Sequence, residues 1–435
     1  MVVPVLAAVK PSRPWYPGPD MSVPRYAATA TVIQVDGTDS AAGPGRLGNT
    51  ARVLVVGGYY EPKPGEGVTL SAAEIYDPAA NRFTPTGSLH HSRNFHTATL
   101  LHDGRVLIAG GYDVADGTLD DAEVYDPVKG AFSPLPAKMT SPRELFTATL
   151  LPDGRVLLVG GFNTHTGHTL RTAELYDPRT QRFTSTGEMT TSFGRFGHAA
   201  LLLPPRAGQA ADPGRVLIVG GKERTSRTDW RSLASAEIYD VGTGKFTPAG
   251  QMKFSRDRPQ VAWIPVMHKA LIVGGKVDEP DVSTDAAQSE WFDPEKAAVE
   301  QDAFSPGPTL RIGRMAHTLT RWDAGQHKRA SGSWLVVGGW STRLGRSIST
   351  AEEFVPDPQS PLGGRFMPAG DVGDLRHDHA AVELPDGRVM ALGGEGVGSH
   401  GVIRWIKSTA LIGHISLTQV NKPNIREGEF GTGRE

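Results

Sequence analysis

The chain has 435 residues, 38% of them hydrophobic and 21% charged, with 45 Lys and Arg against 47 Asp and Glu for a formal charge of −2. That balance gives no electrostatic footing for a nucleic-acid or anionic-membrane surface, and zero Cys excludes disulfides, thiolate metal sites and cysteine nucleophiles. The 52 Gly and 33 Pro, about a fifth of the sequence, suit a turn-rich all-β chain better than a disordered one.

The apolar run from Met1 to Val9 is short, contains Pro4 and lacks a basic flank, so it reads neither as a signal peptide nor as a membrane span. With Met1 as the native start, a cytoplasmic protein is expected. Beyond this arm (residues 1–13) a repeat begins. A Gly-Gly pair recurs at Gly57/Gly58, Gly110/Gly111, Gly160/Gly161, Gly220/Gly221, Gly274/Gly275, Gly338/Gly339 and Gly393/Gly394. Each pair ends a short apolar run, such as Val53 to Val56 or Val156 to Val159, too short for a helix and suited to a buried strand.

Ahead of three of these runs, Asp103-Gly104, Asp153-Gly154 and Asp386-Gly387 supply tight-turn positions with positive φ, so an antiparallel strand precedes each turn. Its copies include His96 to Leu100, Phe146 to Leu150, His198 to Leu202 and His379 to Glu383, rich in small residues as an innermost strand should be. After Gly-Gly and a variable loop comes a third strand with Glu two residues before an aromatic: Glu74/Tyr76, Glu123/Tyr125, Glu174/Tyr176, Glu237/Tyr239, Glu290/Phe292 and Glu352/Phe354. A fourth carries Phe83, Phe132, Phe183, Phe246, Phe304 or Phe366. Four antiparallel strands per unit, repeated radially, make a propeller.

The last unit has no recognisable fourth strand. Trp15-Tyr16-Pro17-Gly18-Pro19 matches Phe304-Ser305-Pro306-Gly307-Pro308, so the N-terminal segment is expected to complete the seventh blade and leave no sheet edge unpaired. The prediction is an all-β, seven-bladed propeller over residues 14–414, followed by a polar tail at 415–435.

The Gly-Gly spacing, the Glu-x-Tyr/Phe strand and the outer aromatic together resemble the kelch-repeat β-propellers over nearly the whole chain. The phrase Leu384-Pro385-Asp386-Gly387-Arg388-Val389 is similar to the galactose-oxidase-type branch. That branch uses copper and a thioether-linked Cys-Tyr cofactor at the channel mouth. Here the cross-link is impossible without Cys, and the Tyr-His pair that ligates copper aligns with Asp378-His379, so only the His is kept. The cofactor and any metal are left open.

Two repeated series read as structural. Arg25, Arg93, Arg143, Arg195, Arg256, Arg314 and Arg376 start the inner strands; they either form a positive funnel or, more simply, pair with the recurrent third-strand Glu. His96, His198, His317 and His379 share one register that Phe146 and Pro259 fill elsewhere, which favours packing over metal ligation.

Function is expected where the repeat breaks. In propellers of this resemblance the loops before the inner strand and after Gly-Gly share one face. Candidate ligand-binding residues there are Arg258, Asp257, Tyr59, Phe162, His165, Lys222, Trp230, Lys276, Trp340 and Glu395: aromatic walls with a few charges. Arg258 is the added charge in its register, a position where kelch adaptors for acidic peptides similarly place an extra Arg. It either grips a carboxylate or pairs locally with Asp257 or a loop acid. The leading expectation is a monomeric binding propeller for a polar or acidic small molecule or a short acidic peptide. The alternative is a stand-alone enzyme performing acid/base isomerisation or lyase chemistry, with or without a metal, using His377, Asp378, Glu144 and Tyr112 as proton carriers. His377 and His379 could converge on a metal with Asp378 or Glu395; otherwise His379 is the repeat histidine and His377 a solvated loop residue. No HExxH, Gly-x-Ser-x-Gly or P-loop pattern occurs.

Overall fold

The computed structural model describes residues 15–35, 51–206, 208, 212–226, 228–279, 282–297, 302–322, 332–398 and 403–413; the N-terminal arm and the polar tail lie outside them. Seven four-stranded antiparallel sheets are arranged as blades. From inside outward, blade 1 is Thr29–Gln34, Ala51–Val56, Ala73–Asp77 and Arg82–Pro85, and blade 2 is Thr97–Leu100, Val106–Ala109, Ala122–Asp126 and Ala131–Pro134. Blades 3 to 6 repeat the order from inner strands Thr147–Leu150, Ala199–Leu203, Gln260–Ile264 and Thr318–Trp322.

Blade 7 takes Ala380–Glu383, Val389–Leu392 and Thr409–Ile412 from the C-terminal end and Tyr16–Pro17 from the N-terminal end, with Tyr16 opposite Leu411. Trp15 packs on the cluster around Trp322, Leu335 and Ile412, and its Nε1 donates to Ala369 O at 2.8 Å. Chain ends are thereby zipped into one sheet, and the edge that Thr409–Ile412 would expose is covered.

The second strands, buried on both faces, account for the unbroken apolar runs. Clusters bridge neighbouring blades: Leu54, Val56 and Ala73 of blade 1 meet Val106, Ile108, Tyr125 and Phe132 of blade 2. Each third-strand aromatic packs on the outer Phe of its own blade, for example Tyr125 on Phe132 at 4.7 Å and Tyr239 on Phe246 at 4.9 Å.

The turns at Asp103-Gly104, Asp153-Gly154 and Asp386-Gly387 differ in detail from the expectation of positive φ at the turn positions. Only the Gly has positive φ, at 84°, 88° and 78°, while Gly104 N–H donates to Leu101 O and Leu101 N–H to Arg105 O. These are three-residue loops, a type I turn closed by a left-handed Gly.

The arginine series is structural. Every member is at most 1% exposed. Arg143 pairs with Glu174 at 2.6 Å and Arg195 with Glu237 at 2.9 Å, and Arg25, Arg93, Arg256 and Arg314 do the same in their blades. Each guanidinium also donates to the carbonyl of the first Gly of the pair. The second Gly N–H donates to the Arg carbonyl of the next blade, from Gly58 to Arg93 round to Gly394 and Arg25. The first Gly has positive φ, 62° at Gly57, and no room for a side chain, because a Cβ there would lie 2.4 Å from Arg93 O. Blade 7 departs from the rule: Ala410 occupies the Glu register, and Arg376 has Asp374 at 3.6 Å.

The repeat histidines fill the gap between blades. His96 hydrogen-bonds Thr29 at 2.9 Å, His198 Thr147 at 2.8 Å and His379 Thr318 at 3.1 Å. Burial, reinforced by neighbouring arginines, pushes His96, His198 and His317 down to about 3, so they are neutral in the folded protein.

Candidate functional site

After each Gly-Gly the chain rises into a small two-stranded hairpin, seven in all among the described residues. The first residue of each hairpin bridges to the residue entering the inner strand of the same blade: Tyr59 to Tyr26, Tyr112 to Asn94, Phe162 to Glu144, Lys222 to Phe196, Lys276 to Asp257, Trp340 to Met315 and Glu395 to His377. Each bridge joins two loops of one blade, and closure of the seven blades brings these loops onto one mouth. Inside them lies a ring of residues in left-handed conformation, Ala27, Phe95, Leu145, Gly197, Arg258, Ala316 and Asp378. Their backbones link around the axis, with Phe95 N–H donating to Ala27 O, Leu145 to Phe95, Gly197 to Leu145 and Arg258 to Gly197.

The two charged members of that inner ring meet across blade 6: Arg258 Nη1 donates to Asp378 Oδ2 at 2.7 Å. The partner of Arg258 is therefore the axial acid of blade 7 rather than the adjacent Asp257. The Arg258 guanidinium lies 5.9 Å from the Phe95 ring centre, and the charge of Asp378 favours its protonated form further. Tyr26 OH also donates to Asp378; burial foremost, then that carboxylate, raises the Tyr26 pKa well above the usual tyrosine range.

Other acids at the mouth are less well served. Burial pushes Glu144 up to about 7 against the opposing pull of Arg258. Asp257 is raised by burial, and its Oδ1 is buried with no hydrogen-bond partner, as is Asn94 Oδ1. Glu395, raised to about 6 by burial and then by Asp378 and Glu61, stands 3.9 Å from His377 Nε2. His377 hydrogen-bonds Ser347 Oγ through Nδ1 at 2.9 Å, and burial lowers its pKa. It is thus a partnered, half-buried group.

Lys222 and Lys276 share Asp278, at 3.0 and 2.7 Å, which offsets much of the positive field expected from them. Around the axis the carboxyl groups of Glu144, Asp257, Asp278, Asp378 and Glu395 outnumber the cations Arg258, Lys222 and Lys276.

Aromatic side chains form two walls. On one side Phe162, Phe196 and Trp230 pack within 5.4 to 5.6 Å of one another, and Trp230 also lines a polar groove of about 700 Å³ running outward past Glu223 and Thr191. On the other, Tyr26 and Tyr59 meet Trp405 at 5.9 and 5.3 Å, and Trp340 meets His377 at 5.6 Å. His165 sits apart, hydrogen-bonded through Nε2 to Thr118 O of the neighbouring hairpin. Tyr112 is on the rim, bridged to Asn94.

Sequence reading missed Trp405 and Asp278. Both follow the hairpin starts at distances the repeat does not specify, and strand pairing alone places Trp405 opposite Glu395.

His377 and His379 do not converge: the former faces Ser347 and Glu395, the latter lies against Thr318 between blades. The Asp378-His379 pair consequently does not make a copper site. The carboxylate is held by a guanidinium, the imidazole is 7% exposed and bonded within the blade packing, and a cation already occupies the mouth. The cluster of His91, Asp113 and Asp116 lies on blade 2 away from this ring, with Asp113 Oδ1 capping Ala115 and Asp116 N–H.

Comparison with known proteins agrees with the architecture. The kelch-motif model matches residues 93–139 and 146–190. No curated relative matches by sequence. Among solved structures, a fungal alcohol oxidase of the AA5 family, described in complex with copper, is 18% identical with a TM-score of 0.63, covering 92% of this chain and 76% of its own. The protein YjhT is 11% identical with a TM-score of 0.54, covering 80% and 98%. No helix among the described residues is long and apolar enough to cross a membrane. The repeat, the seven closed blades and these matches together make the chain a seven-bladed β-propeller carrying kelch motifs, of galactose-oxidase-like fold.

Proposed function

We propose that the mouth of the channel binds a small polar molecule rich in hydrogen-bond donors, seated over the Arg258–Asp378 pair. The observation that carries this is the set of acceptors without donors: Asn94 Oδ1 and Asp257 Oδ1 are buried and unpartnered, and Glu144 and Asp257 have burial, not hydrogen bonding, as the main influence on their carboxyls. Buried acceptors are costly when unpaired, and hydroxyl, amide or amine groups of a ligand would satisfy them. An acidic ligand or peptide would have to displace Asp378 from Arg258 in a mouth where carboxyl groups already outnumber cations. That favours a neutral or cationic ligand over the acidic one suggested by the sequence.

A panel of polar small molecules screened by ligand-observed NMR tests the reading. Hits should weaken at least tenfold with Asp257→Asn or Arg258→Ala in protein that keeps its circular dichroism spectrum. Hits indifferent to both substitutions would refute a site at the mouth.

One observation favours the enzymatic alternative. A carboxyl held near 7 is present in both protonation states at neutral pH, which suits general acid/base work. Glu144 would exchange a proton with a bound ligand, Arg258 would stabilise developing negative charge, and His377, Asp378 and Tyr112 stand on the same rim. The check is solvent-deuterium incorporation into a bound hit, lost with Glu144→Gln.

A further inference from the structure

We infer that the wall shared by blades 1, 6 and 7 is a subsite for an organic ammonium group, a deepening that rests on the mouth being the binding site. Three rings from two blades converge there: Tyr26 and Tyr59 meet Trp405 edge to face at 5.9 and 5.3 Å. All three, with Glu395, are half-buried rather than sealed in the core. Aromatic faces carry partial negative charge and attract weakly hydrated cations.

The carboxylate that completes the subsite is Glu395. It stands directly opposite Trp405 across the hairpin, so both side chains project from the same face. Among the described residues its cationic-type partner within ion-pair distance is His377 Nε2 at 3.9 Å. That imidazole is bonded to Ser347 and supplies no cation while neutral. Asp378 and Glu61 add negative charge to the Glu395 environment, whereas the positive charge of Arg258 is taken up by Asp378 at 2.7 Å. A half-dry carboxylate among aromatic rings, without a permanent cation of its own among the described residues, calls for one from outside. An alkylammonium fits this chemistry better than a metal ion. Hard cations need several oxygen ligands at close range, and this wall offers ring faces and a single carboxylate.

The test uses the full chain with two probes of nearly equal shape, choline and 3,3-dimethyl-1-butanol, which differ in the positive nitrogen. Binding is followed by tryptophan fluorescence and by ligand-observed NMR at ionic strength matched with NaCl. Choline should bind at least tenfold tighter than the alcohol, and Trp405→Leu and Glu395→Gln should each weaken it at least tenfold while leaving the melting temperature near that of the wild type. Equal binding of the two probes would show a merely apolar cleft. Choline binding untouched by either substitution would place it elsewhere, and no binding at millimolar concentrations would refute the subsite; all three overturn the inference. If other polar hits still depend on Asp257 and Arg258 when choline fails, the ammonium subsite falls and the mouth reading stands. If those hits fail as well, both fall.

Discussion

Removing one acid from the buried Arg–Glu series tests the claim that these charges hold blades together rather than a ligand. In blade 3, Arg143 and Glu174 side chains are each 0% exposed and 2.6 Å apart. Glu174 also accepts from Thr140 N–H at 2.8 Å, tying down the segment that enters the inner strand. Glu174→Ala strands a guanidinium away from water and leaves that N–H unpaired. Breaking a buried pair costs about 3–5 kcal/mol, and the lost backbone partner adds about 1 kcal/mol. For the 360 described residues the unfolding entropy is roughly 0.8 kcal/mol per kelvin, so a loss of about 4–6 kcal/mol lowers the melting temperature by roughly 5–8 °C.

Replacing both partners, as Arg143→Met with Glu174→Leu, should recover only part of that loss. Arg143 Nη1 also donates to Gly160 O at 2.6 Å and Thr172 O at 3.3 Å, and apolar substitutes leave those carbonyls without it. Differential scanning calorimetry reads all three proteins. Arg179→Ala, which breaks a surface pair with Asp177, serves as the control and should leave the melting temperature unchanged. A Glu174→Ala protein melting within 1 °C of the wild type (about the noise of the measurement) would refute the structural role.

Trp15→Ala should destabilise by roughly 2–3 kcal/mol, the lower part of the range for aromatic truncation because the ring is only half-buried, whereas Trp15→Phe should lose about 1 kcal/mol with the bond to Ala369 O; chemical denaturation separates them, and equal stability would remove Trp15 from ring closure. The neutral histidines predict acid lability. Because their folded pKa of about 3 lies below the unfolded value near 6.5, their contribution is full above pH 6.5 and is lost as pH falls toward 3. His198→Phe, which copies Phe146 of blade 3, should flatten that part of the stability profile, and an unchanged profile would count against the assignment. Glu144 has the opposite sign: raised to about 7, it favours the fold below its unfolded pKa and loses roughly 3 kcal/mol as pH rises toward 7. Glu144→Gln should abolish that decline, and urea titrations at pH 4.5 and 7.5 measure it.

Much of the architecture is legible in one dimension because a propeller is made of short-range units. Each blade has an apolar second strand and a Gly-Gly with positive φ, and blades 1 to 6 add a Glu for the Arg and an aromatic pair. These demands recur at a readable spacing, and even the zipped ends show as Trp15 standing in for an outer Phe. The loop-bearing rim follows from the same register, which is why Tyr59, Lys276, Glu395 and the others reach one mouth.

Who pairs with whom across that mouth was not legible. Arg258 and Asp378 lie 120 positions apart and share a register position that carries no sign of a contact until the ring closes; Asp278 joins two lysines, and Trp405 returns to the axis through a hairpin of unspecified length. The sequence by itself determined the blades, since their packing depends on neighbours within a repeat. Only the closed ring decided the balance of charge at the mouth, because that depends on side chains from different blades meeting across the axis where no periodicity links them.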